Sequence, residues 1–524
     1  MTPTQTKKRL FLIGPSVRLG SYGRGAGAAA MTLLLTACAS NAIDRAPRSP
    51  NTAWQADSAA QPSNTSETLG PTGRNEGFSV PPVAALGQLA TGIDIDLEKT
   101  HSLPELIDIA QRGHPDTRLA WNRARQAALA VGMVEATFLP MLSANVVGGY
   151  QRTRYPLPEN ITGIRDIKTE LSGVVPALTL GWLLFDFGQR KALYDAASEL
   201  SFAQNVLFNA AHQKIIRDVT DQFYQYNTAR THRALSASML VNQQKVLAAV
   251  TQRQKAGLAT TVELALARQA VAQAKLRVVE RQGAERNTYL GLLNAVGVSP
   301  TVKLKVAEPE QRSLPDTIDP LTADIIQNAL TQRPDLVAAY SAVKAAQAGI
   351  TATEADFLPK VYLGAVAAHN RTSFDVVGLP GLSQTSTSHG VLLGVTLPIF
   401  DGGLRRARVH EARLRADDAQ TLLENQQRNA VREIIAAETM LQTALQSTKT
   451  ARELVDAAQT TYDAALSSYQ EGVSTVTIAI EATSQLLTAQ QAYADAQTAS
   501  LIAAANLAFV MGDMTTPRSE WLSR

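Results

Sequence analysis

The sequence predicts a mainly α protein with a membrane β-barrel, built from a duplicated repeat of long helices plus one β-hairpin. Two observations carry that reading. Sequence anchors recur at a spacing of 215 to 219 residues. Each copy also holds two stretches of strand-like alternation, followed by about 60 residues of helical pattern without interior Gly or Pro.

The N-terminus is set apart by charge. The chain has 524 residues, 45% hydrophobic and 18% charged, with a net charge of +3. Lys7, Lys8, Arg9, Arg18 and Arg24 lie in the first 37 residues, where there are no acids, so the remainder carries −2. That balance excludes a nucleic-acid partner for the body of the chain. The basic stretch leads into a short apolar run, Ala26 to Leu35, which is too short to span a bilayer as a helix. It ends in Leu35-Thr36-Ala37-Cys38, the pattern of a bacterial lipobox. Residues 1–37 are expected to be a lipoprotein signal peptide, and Cys38 to carry covalent diacylglycerol and an N-acyl lipid. The alternative is an ordinary secretory signal with an incidental cysteine. A single cysteine excludes a disulfide framework and a Cys-based metal centre within one chain. Residues 38–95, rich in Ser, Asn, Thr, Pro, Gly and Ala, read as a lipid-anchored flexible segment. No later stretch has 18 consecutive apolar residues, so no further transmembrane helix is expected.

The duplication organises the rest. Pro115-Asp116 is echoed by Pro334-Asp335, and Phe138-Leu139-Pro140 by Phe357-Leu358-Pro359, both 219 residues on. Phe185-Asp186-Phe187-Gly188 is echoed by Phe400-Asp401-Gly402-Gly403 at 215, as Gly257 is by Gly472 and Gly297 by Gly512. The change in spacing falls between Pro140 and Phe185, where a surface loop absorbs it. Repeat 1 is assigned to residues 96–297 and repeat 2 to residues 326–513, with a linker at 298–325 and a tail at 514–524.

Each repeat has the same order of elements. A helix of about 35 residues comes first, near 103–137 and 323–356, and the Pro after Phe-Leu stops it. A β-hairpin follows, at 140–186 and 359–400. Leu178, Leu180, Trp182 and Leu184 alternate with Thr179, Gly181 and Leu183, while Val391, Leu393, Val395, Leu397 and Ile399 do so in the second copy. Partner segments lie at 142–150 and 361–369, with polar stretches at 152–170 and 371–388 between. Strands of about ten residues are enough to cross an outer membrane when tilted. A helical hairpin closes each repeat, at 189–295 with its tip near 257 and at 404–510 with its tip near 472. At ~1.5 Å per residue its first arm is a rod of roughly 90 Å. Leu486, Leu487, Leu501, Ile502 and Leu507 recur at three- and four-residue steps, and frequent Ala lets helix axes approach.

Four strands cannot close a barrel, and an open edge in lipid leaves backbone groups unpaired at several kcal/mol each. Other copies of the chain must complete it, and closure imposes cyclic symmetry.

Pro140 and Pro359 after Phe-Leu, the two Phe-Asp-x-Gly motifs and the glycine-marked turns, in duplicated order, resemble the TolC family of outer-membrane channel proteins. The lipobox makes the chain most similar to that family's lipoprotein branch, which serves multidrug efflux. The resemblance covers about residues 96–513. It implies a homotrimer with a 12-stranded barrel in outer-membrane lipid, a 12-helix periplasmic tunnel and an equatorial belt. It also implies a periplasmic adaptor (membrane fusion) protein and an inner-membrane pump as partners. Cofactors are not expected.

No catalytic constellation is visible: the seven histidines form no HExxH or H-x-E pair, and no glycine run has phosphate-loop spacing. Asp186 and Asp401 read as caps, because a carboxylate at a helix N-terminus accepts free N–H groups. Gly257 and Gly472 suit left-handed turn positions. The resemblance makes these tips, with Leu258 and Val473, the adaptor-docking surface. It also assigns Glu481, nine residues after Gly472, to an acidic ring at the periplasmic gate, and Glu263 is a second candidate. A solvated helix face is the plain alternative for both. Three symmetry-related carboxylates at a waist would repel one another and bind cations.

The expected function is a passive exit duct of a tripartite efflux system for drugs or other small molecules. The alternatives are the exit channel of a type I protein secretion system and, from another class, a lipid-tethered periplasmic helical scaffold.

Overall fold

The computed structural model describes residues 83–87, 95–156, 166–310, 314–376 and 382–514. Cys38 and the signal lie outside these, as do residues 157–165 and 377–381 of the two hairpins. The chain divides into the units Met1–Thr91 and Gly92–Arg524. In the first, the described part is a 3-10 turn at Ala84–Gly87.

The second unit holds the repeats. Its elements in chain order begin with β1 (Thr100–His101), α1 (Leu103–Gly113), α2 (Pro115–Ala136), β2 (Met141–Pro156) and β3 (Asp166–Phe185). Then come α3 (Gln189–Lys255), α4 (Thr261–Val296), β4 (Lys305–Val306), α5 (Ala323–Gln332) and α6 (Pro334–Glu354). The second hairpins are β5 (Lys360–Val376) with β6 (Leu382–Thr396), and α7 (Leu404–Gln470) with α8 (Val476–Val510).

The structure corrects three expectations. The helices expected at 103–137 and 323–356 are each two helices, broken at His114 and Arg333. A proline follows each break, which drives the preceding residue out of the helical region: His114 has ψ 135° and Arg333 ψ 120°. The strands are 15 to 20 residues long rather than about ten. Their outer ends are polar, so the hydrophobic alternation stops before the hydrogen-bond ladder does. In the other direction, β6 ends at Thr396, and Leu397, Ile399 and Phe400 lie beyond it as exposed irregular chain. Within residues 298–325, β4 pairs in parallel with β1, and α5 begins at Ala323, where a helix was expected to start.

The strands form one antiparallel sheet in the order β2-β3-β5-β6, so β2 and β6 are its edges. Register separates two faces. Ser143, Asn145 and Thr179 share one, where Ser143 Oγ lies 2.6 Å from Thr179 Oγ1 and Asn145 Nδ2 donates to it at 3.1 Å. Leu142, Val146, Leu178, Val391, Leu393 and Val395 share the other, and all six are exposed in one chain.

α3 and α7 are each 67 residues, about 100 Å at 1.5 Å per residue. Neither has a partner of its own length. α4 pairs with one stretch of α3 and α2 with another, as α8 and α6 do with α7. The core follows this division. Leu106, Val219, Phe223, Leu292, Leu293 and Val296 form one cluster where α1, α3 and α4 meet. Ile434, Leu441, Ala503 and Leu507 form its counterpart between α7 and α8. Alanines at many of these contacts hold the helix axes close.

Candidate functional site at the helical tips

Each long helix ends in a glycine turn. α3 closes with Gly257 at φ +75°, and Leu258 N–H donates back to Arg253 O at 2.8 Å. α7 closes with Gly472 at φ +84°, and Val473 N–H donates to Ser468 O at 2.9 Å. These 6→1 bonds satisfy carbonyls that the helix leaves free, and a Cβ at either glycine would be strained.

The return helices start differently. α4 has a full capping box. Thr260 Oγ1 accepts from Glu263 N–H at 3.2 Å, and Glu263 Oε2 accepts from Thr260 N–H at 2.6 Å. Glu263 is thus held by its own helix start. α8 begins after Thr475, which makes no side-chain capping bond. Glu481 is exposed on α8, and its Oε1 accepts from Gln485 Nε2 at 3.2 Å. Leu258 and Val473 are the exposed points of the two turns, 67% and 82% accessible. Val262 and Ile478 add apolar surface on the first turns of α4 and α8.

The two tips are joined. Arg253 Nη1 donates to Tyr469 O at 3.3 Å, and its guanidinium lies 5.4 Å from the Tyr469 ring centre. A Cβ at Gly472 would come within 3.0 Å of the same Nη1. Tyr469 is 1% exposed and packs with Val246, Val250, Leu264 and Val476. Burial pushes its phenol above the usual range. The Glu263 charge adds to that shift and the Arg253 charge opposes it. Its hydroxyl has no hydrogen-bond partner among the described residues. Sequence reasoning missed this clasp. The available signal was a tyrosine three residues before Gly472 and an arginine four before Gly257.

Asp186 and Asp401 sit far from the tips, at the strand-to-helix elbows. Asp186 Oδ1 accepts from Gly188 N–H at 3.3 Å, while Oδ2 accepts from Arg190 N–H at 3.1 Å and from Arg190 Nε at 2.7 Å. Asp401 repeats the set with Gly403 N–H at 3.0 Å, Arg405 N–H at 3.1 Å and Arg405 Nε at 2.6 Å. The Arg405 guanidinium holds the Asp401 carboxyl below the usual carboxylate range, against a smaller effect of desolvation. Each arginine also lies over the phenylalanine that follows the preceding α-helix, Phe138 after α2 or Phe357 after α6. No group of three or more metal-ligating side chains occurs among the described residues.

Comparison with known proteins gives these features a context. The chain is 28% identical over 357 residues to protein CyaE of Bordetella pertussis, covering 67% of this chain and 72% of the relative. It is 27% identical over 360 residues to outer membrane protein OprJ of Pseudomonas aeruginosa, covering 67% and 73%. The crystal structure of a membrane protein from Pseudomonas aeruginosa superposes with a TM-score of 0.67 at 27% identity, covering 78% of this chain and 93% of that one. A family model described as outer membrane efflux protein matches residues 106–298 and 325–513, one span for each repeat. The chain therefore belongs to the outer membrane efflux protein family.

Proposed function

We propose that three copies of this chain close a 12-stranded barrel in the outer membrane, continued into the periplasm by a tunnel of helices, and that the tips dock a periplasmic adaptor. The coarse function comes with the family: an outer-membrane efflux channel, passive rather than enzymatic. The observation that carries the assembly is the sheet of four long strands with two open edges, β2 and β6. Its face bearing Leu142, Val146 and Val391 is apolar and exposed, as a lipid-facing surface must be. An unpaired edge is not tolerated in hydrocarbon, so β6 of one copy pairs with β2 of the next. Cys38, acylated, adds a lipid anchor to the same membrane.

The tips supply docking and closure. Leu258 and Val473 offer short apolar side chains on turns whose backbone is already satisfied. The Arg253–Tyr469 clasp keeps the two hairpins of one chain together at that end. Glu481, whose carboxylate is taken up by a single neutral partner, is the gate residue; Glu263 serves its cap. An inner-membrane pump, reached through the adaptor, supplies the energy. The test is conductance in planar bilayers. Purified protein should give discrete, long-lived steps of one unit size. Correctly folded oligomer that gives no steps under any voltage or cation condition would reject the channel assembly.

A further inference from the structure

α3 of repeat 1 packs along α8 of repeat 2, so this seam ties the two helical hairpins of one chain together. Arg217 covers Phe509, and Thr228 Oγ1 meets Thr498 Oγ1. His232 Nε2 lies 3.0 Å from Asp495 Oδ1, and Gln243 Nε2 donates to Ile480 O at 3.4 Å. Numbers rise on α3 as they fall on α8, so the two helices run antiparallel. Arg217, Thr228, His232 and Gln243 are separated by about three turns, one turn and three turns, and therefore share one stripe of α3. Asp221 comes one turn after Arg217 and Ser236 one turn after His232, which puts both on the same stripe.

This stripe is polar where a seam between helices is ordinarily apolar. Five buried side-chain oxygen and nitrogen atoms have no hydrogen-bond partner among the described residues. Four of them belong to the stripe: Asp221 Oδ1, His232 Nε2, Ser236 Oγ and Gln243 Oε1. Ser236 and Gln243 are each 1% exposed. A polar atom held there without a partner bears its desolvation cost with nothing to offset it. The duplication shows that a helix of this kind does not require such groups. At the 215-residue spacing, Asp221, Ser236 and Gln243 correspond to Ala436, Ala451 and Ala458 on α7. With alanine at all three positions, α7 has the same 67-residue length as α3. The polar groups thus belong to the seam and not to the making of the helix.

We propose that the α3–α8 seam is built to part when the tips open, and that Asp221, Ser236 and Gln243 bias it towards parting, because separation gives water to their unpaired atoms. The proposal rests on the reading of the chain as a channel that closes at its tips. Two sets of contacts then oppose one another. The Arg253–Tyr469 clasp holds the hairpins together at one end, and the polar stripe weakens the seam behind it. A closed state held by so narrow a margin yields to a partner that binds the open tips only modestly better.

The test uses the full chain, purified as an oligomer and placed in planar bilayers. Ser236→Ala with Gln243→Met nearly conserves volume and removes both unpaired oxygens. Open probability should fall about tenfold, and melting temperature should rise. Gln243→Glu, which puts a charge in the same place, should raise open probability. Open probability unchanged within about twofold in the double variant, with a lower melting temperature, would show that bound water already pairs these atoms in the closed seam, and would overturn the proposal. A second arm needs no current. Ser236→Cys should react with a water-soluble maleimide about tenfold faster when combined with Arg253→Ala than alone, with wild type as the control for Cys38. Equal rates would also overturn the proposal. Either failure, in protein whose wild type gives discrete conductance steps, would leave the channel reading standing. Folded wild-type oligomer that gives no steps would overturn both.

Discussion

Arg253→Ala is the perturbation whose size can best be worked from the structure. The side chain donates to Tyr469 O at 3.3 Å and lies over the Tyr469 ring at 5.4 Å, so one substitution removes both Arg253 contacts and leaves the apolar packing of Tyr469 against Val246, Val250 and Leu264. A hydrogen bond from a charged donor contributes about 1.5 kcal/mol and a partly exposed cation–π contact about 0.5 kcal/mol. Arg253 is half-exposed, which brings the total to about 1.5 kcal/mol per chain. That is roughly tenfold in the equilibrium between joined and parted tips of one chain. The assay is open probability in planar bilayers. Arg253→Ala should raise it about tenfold or more, since each chain of the proposed trimer contributes, and Arg253→Lys should fall between because a point charge keeps the attraction but not the planar stack. Open probability unchanged within about twofold in the alanine variant would refute the clasp as a closing contact. Gly472→Ala checks the same geometry from the other side. Its Cβ would meet Arg253 Nη1 at 3.0 Å and sit on a residue at φ +84°, so it should open the channel in the same direction.

Other predictions follow from the same reasoning. Glu481→Ala should raise conductance or relieve block by divalent cations, and unchanged values would reject it as the gate. Asp221 lies on α3 between Arg217, whose guanidinium covers Phe509 of α8, and Thr228, which meets Thr498. Burial pushes its carboxyl up to about 6, with Arg217 opposing the shift and Asp218 adding to it. The folded state thus holds this proton more tightly than the unfolded one. The penalty is absent at low pH, grows as pH rises from about 4 and is complete above about 6. Asp221→Asn should accordingly stabilise the protein by about 1–2 kcal/mol at pH 8 and much less at pH 4.5, read as melting temperature. Asp186→Ala leaves the buried Arg190 guanidinium without its carboxylate, and should cost about 3–5 kcal/mol in thermal unfolding, more than Asp401→Ala at the less buried elbow. Cys38→Ser should abolish palmitate labelling while the β-sheet signal stays in isolated outer membranes.

Much of this architecture was legible because duplication doubles weak signals. A lone Phe-Asp-x-Gly says little, but two of them, each after alternating apolar residues and before a long helix, locate both elbows. There the carboxylates of Asp186 and Asp401 accept the bonds that a helix start leaves free. Turn chemistry was equally plain, since Gly257 and Gly472 interrupt long runs without glycine. The strand ends were not legible, because hydrophobic alternation reports which face of the sheet is apolar and not where hydrogen bonding stops. β2 and β3 stay paired out to Pro156 and Asp166 through residues with no apolar period. The helix breaks at His114 and Arg333 were marked by Pro115 and Pro334, but the apolar pattern continues across them. The Arg253–Tyr469 clasp joins residues 216 positions apart, and no local pattern encodes such a contact.

The central claim is that four strands per chain are completed by sister copies into one pore. Cryo-electron microscopy of the protein in lipid nanodiscs tests it most directly. The account predicts one particle class of three chains around a single threefold axis, with β6 of each chain hydrogen-bonded to β2 of the next. Particles with one chain per pore, or three chains each closing a separate barrel, would contradict it.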